Sequence, residues 1–163
     1  MRPLRLTLVV LIALFATAGI AAADDNRNFV AHLNSEGEVP VTDSLGQGQA
    51  IFHLSQDGTQ LEFKLIAANI VNVTQAHIHC GLPGTVGPVV VFLYGFGPTV
   101  SPDGVLSEGT ITAANVIPRP SSAACPGGLA NFNDLIDKLR NGGAYVNAHT
   151  IVHPGGEIRG EVH

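Results

Sequence analysis

"QAHIHCGLPGTVGPVVVFLYG", residues 75–95, places two histidines two positions apart at the head of an apolar run. Successive side chains of a strand point to opposite faces, so Ala76 and Ile78 share one face and Gln75, His77 and His79 the other. Residues 76–79 therefore read as a strand with one apolar and one polar face. Glycines and prolines occupy 81–88, and the β-branched and aromatic run 89–94 reads as a second strand.

The same alternation returns in "GGAYVNAHTIVHPGGEIRGEVH", residues 142–163. Over 144–150, Val146 and Ala148 oppose Tyr145, Asn147 and His149. Over 157–162, Ile158, Gly160 and Val162 oppose Glu157, Arg159 and Glu161. If these segments lie side by side in one sheet, their polar faces gather His77, His79, Asn147, His149, Glu157 and Arg159. Further strands are expected at 29–33, 49–54, 61–66 and 105–111, with Gln56-Asp57-Gly58-Thr59 as a hairpin turn. Short strands between glycine- and proline-rich loops predict an all-β fold, an antiparallel Greek-key-like β-sandwich or barrel. One stretch has a different period. Phe132, Leu135, Ile136 and Leu139 recur at helical spacing, Asn131 suits the cap and Gly142 the exit, which predicts one short amphipathic helix over 131–141.

The first residues carry a different message. Arg2 and Arg5 precede an apolar stretch over 6–15, and Ala21-Ala22-Ala23 leads into Asp24-Asp25, the pattern of a secretory signal peptide over 1–23 cleaved after Ala23. The apolar run is short for a membrane span of roughly 20 residues. The mature chain, 24–163, is expected to be one secreted or periplasmic domain without a membrane anchor. Cleavage removes two of the eight basic residues and none of the thirteen acidic ones, taking the formal charge from -5 to -7. An acidic chain with scattered Lys and Arg has no basic stripe for phosphates, which argues against nucleic acid as a partner. Cys80 and Cys125 are the two cysteines of the chain, and an oxidising compartment favours a bridge between them. The other reading makes Cys80, next to His79, a metal ligand.

With these segments in place, the chain resembles a known family. "AHIHCGLPGTVGPVVVFL" (76–93) and "GGAYVNAHTIVHPGGEIRGEV" (142–162) are similar to the chordin-type (CHRD) domain. Its pattern is a His-x-His strand with Gly-x-x-Gly-x-x-Gly-Pro, then Tyr-Val-Asn-x-His-Thr and Pro-Gly-Gly-Glu-Ile-Arg-Gly. The hairpin "LSQDGTQLEFKLIAANI" (54–70) also fits, and Ala148 departs from a usually larger aliphatic residue. The resemblance implies an exported domain over 24–163 of the single-domain microbial type. It does not carry over the growth-factor binding of chordin, whose cysteine-rich modules this chain does not show.

Two functions follow as expectations. In the first, the chain is a non-catalytic binding or structural module for an extracellular partner. Asn147, Glu157 and Arg159 then form a structural polar cluster, with Arg159 paired to Glu157 or another carboxylate. In the second, His77 and His79, about 6.5 Å apart along one face, join His149 to hold copper or zinc, metals that imidazole suits. That arrangement resembles the copper half of copper/zinc superoxide dismutase, although no histidine lies between His79 and His149 to supply a zinc loop. Metal occupancy would then fall as pH drops through the usual histidine range near 6.5. Enzyme signatures such as Gly-x-Ser-x-Gly, a phosphate loop or His-Glu-x-x-His are absent from the sequence. The acids Asp24, Asp25, Glu36 and Glu38 sit in polar segments and read as solvated.

Overall fold

The computed structural model describes residues 27–95 and 97–163. The expected signal segment 1–23 lies outside the described residues. The elements run β1 (Asn28–Asn34), β2 (Gln47–Leu54), β3 (Leu61–Ala68), β4 (Val73–Cys80), β5 (Val89–Tyr94), β6 (Gly104–Ile111), α1 (Phe132–Arg140), β7 (Ala144–Thr150) and β8 (Ile158–Glu161). Each strand and the helix fall where the hydrophobic period places them. β1 buries Phe29, Ala31 and Leu33 and turns Asn28, His32 and Asn34 to solvent. The β2–β3 hairpin pairs Leu54 with Leu61 across a turn in which Gly58 has φ 70°. That left-handed conformation is one that glycine adopts without steric cost.

All strand pairs are antiparallel and form one sheet in the order β5-β4-β7-β8-β1-β2-β3-β6. The expected all-β fold is present, with one refinement. The two layers are halves of a single curled sheet whose end strands β5 and β6 approach each other, giving a nearly closed barrel. The halves join at the β1–β8 seam, through Asn34 opposite Arg159 and a reciprocal main-chain pair between Val30 and His163 at 2.9 and 3.0 Å. Alternation says which residues share a face. It is silent on whether two layers also share hydrogen bonds, so the seam was not legible.

Phe132, Leu135, Ile136 and Leu139 of α1 are buried in the same core as Phe29, Phe52, Leu65, Ile78 and Val146. Burying such side chains stabilises the fold by roughly 1.5–3 kcal/mol each. Asn131 caps the helix, accepting from the Asp134 N–H at 3.1 Å. Cys80 and Cys125 are bridged, with Cα atoms 5.4 Å apart, so Cys80 is not a metal ligand. The bridge ties the end of β4, directly after His79, to the loop preceding α1. In the loop-entropy picture, closing 45 residues contributes about 4 kcal/mol.

Candidate metal centre

Three adjacent strands build the site. In the β4–β7 register Gln75 faces His149, His77 faces Asn147 and His79 faces Tyr145; across β7–β8, Asn147 faces Arg159 and Tyr145 faces Glu161. The odd-numbered residues of all three strands therefore lie on one face, opposite Ala76, Ile78, Val146, Ala148 and Ile158, which are buried in the core. Unlike an ordinary outer sheet face, this one is covered. The 81–88 loop folds over it: the Thr85 carbonyl accepts from Arg159 Nη1 at 2.7 Å, and the Gly87 N–H donates to the Tyr145 hydroxyl at 3.1 Å. Gly87 is required there, since a Cβ would overlap the Cys80 carbonyl.

His77, His79 and His149 converge, with one ring nitrogen from each lying within 4.8 Å of the other two. What surrounds the rings bears on where their protons sit. His79 Nδ1 lies 2.8 Å from the Gly87 carbonyl, His149 Nδ1 3.0 Å from the Pro154 carbonyl, and His77 Nε2 3.1 Å from Gln75 Oε1. A main-chain carbonyl oxygen can only accept, so His79 Nδ1 and His149 Nδ1 carry their protons, and with the Gln75 amide oxygen turned to the ring His77 Nε2 carries its own. The inner nitrogens, His77 Nδ1, His79 Nε2 and His149 Nε2, are then lone-pair atoms. His77 Nδ1 and His149 Nε2 face each other at 3.1 Å, and buried His79 Nε2 has no hydrogen-bond partner among the described residues.

The rings are neutral at physiological pH. Burial drives the pKa of His77 down to about 3, and the neighbouring His149 and His79 push the same way. Burial also lowers His79, to about 4, partly opposed by its bond to the Gly87 carbonyl. His149, at the more open side of the cluster, is lowered by burial too, against the Pro154 carbonyl. The ordinary range near 6.5 therefore does not describe the free rings of this cluster.

Behind the cluster lies a stacked layer. The Tyr145 ring stacks on His79 with centroids 4.6 Å apart and planes 10° from parallel, and the Arg159 guanidinium sits 3.4 Å above the Tyr145 ring centroid. Arg159, 1% exposed, pairs with Glu161 at 2.5 Å, the "other carboxylate" of the two expected. Glu157 does not join it. Its carboxylate accepts from Ser44 at 2.6 Å and Thr150 at 2.5 Å, and Thr150 belongs to the opposite face of β7. Glu157 precedes β8 and follows Gly156, whose φ of 130° breaks the extended alternation.

The acid near Asn147 is Glu38, read from the sequence as solvated but only 6% exposed. Its carboxylate lies against Gly156, where a Cβ would overlap it. Burial pushes Glu38 above the usual carboxylate range, opposed by the Val39 main chain, the Arg159 charge and a hydrogen bond with the Asn147 side chain. No local period marks Glu38, because it sits in a loop and meets Asn147 only through the fold. Glu36 is exposed, as expected.

No helix among the described residues is long and apolar enough to cross a membrane. No curated protein and no solved structure matches this chain, so the likeness to superoxide dismutase remains one of motif. The family model of the CHRD domain matches residues 29–162, from the first residues of β1 to the end of the histidine-, asparagine- and arginine-bearing strands just described, and the chain belongs to that family.

Proposed function

We propose that this protein is an exported, non-catalytic CHRD module that binds one copper or zinc ion through His77, His79 and His149. The observation that carries the reading is one ring nitrogen from each histidine within 4.8 Å of the other two, with a carbonyl oxygen on the far side of each ring. Three lone pairs turned toward one another without a proton between them repel; a cation among them reverses the sign. Tetrahedral bonds of about 2.0–2.1 Å put ligand nitrogens about 3.3 Å apart, so the cluster needs only a small closure. Ligating histidines usually donate their other ring N–H to a carbonyl or carboxylate, as these outer nitrogens do. Export is supported by the signal-like segment 1–23 and by the bridge between Cys80 and Cys125.

A second reading rests on the 3.1 Å separation of His77 Nδ1 and His149 Nε2, which is hydrogen-bond length if one ring takes the other tautomer. The cluster is then structural. Metal content after copper or zinc loading and dialysis separates the two. The metal reading expects one ion per chain in the wild type and none in a His77→Ala, His79→Ala double variant. Equal uptake by both proteins, or none by either, leaves the structural reading standing.

A further inference from the structure

Asn147 lies at the centre of the polar face. Its Cα is paired with His77 on one side and Arg159 on the other, and it is 3% exposed. Its Oδ1 is 3.0 Å from His149 Nε2 and lies near His79 Nε2, which has no hydrogen-bond partner by distance. Both of those ring nitrogens are lone-pair atoms by the argument from Gly87 and Pro154, so the oxygen meets no donor there. Turning the amide over would relieve this, presenting Nδ2 to the histidines. The buried Glu38 carboxyl lies on the other side of the amide, close enough for the Asn147 side chain to favour its charged form, and this sets the amide the other way. A carboxylate only accepts, so the NH2 group must point at Glu38 and the oxygen at the rings.

We infer that Asn147 Oδ1 is the fourth donor of the metal site and that buried Glu38 is the positioning residue that turns it inward. This rests on the three-histidine reading above and extends it. Four acceptor atoms then face one point without a hydrogen-bond donor among them: three imidazole nitrogens and one amide oxygen. All four are neutral, and the Glu38 carboxyl lies behind Asn147 rather than among the donors. That carboxylate has one oxygen, Oε1, without a hydrogen-bond partner among the described residues. An ion held by three nitrogens and one oxygen has a different ligand field from one held by three nitrogens and water, and the difference is visible in spectra.

The test uses the mature protein loaded with Cu(II), reading stoichiometry, affinity by competition with a chelator, and the electron paramagnetic resonance spectrum. Asn147→Leu is expected to bind one ion at least tenfold more weakly, with a shifted spectrum. Asn147→Asp keeps the oxygen and adds charge, so it should hold the ion within a few-fold of the wild type, or more tightly. Glu38→Gln should keep the one-to-one stoichiometry, lose less affinity than Asn147→Leu, and still shift the spectrum, although Glu38 touches no metal. If Asn147→Leu matches the wild type in affinity and spectrum while His77→Ala abolishes binding, the fourth donor is overturned and the three-histidine site survives. Weak binding by both Asn147→Leu and Asn147→Asp, with an unshifted spectrum, marks the amide as scaffold and overturns it too. An unshifted spectrum in Glu38→Gln removes the positioning role alone. No copper in the wild type removes the site and this inference together.

Discussion

Arg159 carries a permanent charge where water is nearly excluded, and three contacts compensate it: the Thr85 carbonyl, the Glu161 carboxylate and the face of Tyr145. The planar guanidinium satisfies all three at once, which a lysine ammonium, a compact point charge, cannot. Arg159→Lys should therefore lower stability by about 2–3 kcal/mol, the sum of a lost charged hydrogen bond and a weakened cation–π contact. Urea unfolding of both proteins measures it; a change below about 0.5 kcal/mol would show the stack to be dispensable. Glu161→Gln should cost less, because its side chain is 33% exposed and water replaces the partner. At this scale alternation put His77 and His79 on one face of their strand and Asn147 and His149 on one face of theirs. The family resemblance, not the period, supported the strands being neighbours. Alternation misplaced Glu157 and missed Glu38 for one reason: both lie in loops, where side-chain direction follows φ and ψ rather than a period of two.

β4 and the 81–88 loop act as a unit, with His79 between them. The Cys80–Cys125 bridge fixes one end of this unit, and the contacts of Gly87 with His79 and Tyr145 fix the other. A Cys80→Ser, Cys125→Ser double variant should unfold with about 4 kcal/mol less stability. It should also bind metal more weakly, since the carbonyl that sets the His79 tautomer rides on the loosened loop. Thermal melting and chelator competition on the same sample check both; lost stability with unchanged affinity would show that the loop holds its place without the bridge. The helix gives a second case. Leu135 is fully buried against the sheet, and Leu135→Ala should cost 2–5 kcal/mol, roughly, as an unfilled cavity does. Helix and hairpin were legible because each is marked by a local period or turn. The cover that the 81–88 loop forms over the polar face has no such mark, which is why the burial of that face could not be read from its residues.

For the whole molecule, the cluster makes stability depend on pH in a stated direction. In the metal-free protein His77 and His79 have pKa values of about 3 and 4, whereas in the unfolded chain they return to about 6.5. Below 6.5 the unfolded chain binds protons that the folded one does not, so stability falls as pH falls. The loss levels off only near the folded values. Each histidine contributes at most about 1.4 kcal/mol per pH unit, so the two together should remove about 3 kcal/mol between pH 6.5 and 5. His149, lowered by burial as well, adds in the same direction. Above pH 7 the effect vanishes, because the rings are neutral in both states. Urea unfolding of the metal-free protein at several pH values measures the slope, and His77→Gln, which cannot titrate, should flatten it by one histidine's share. An unchanged slope in that variant would mean that His77 is hydrated and titrates normally, and the inward-facing lone pairs on which the metal site depends would go with it.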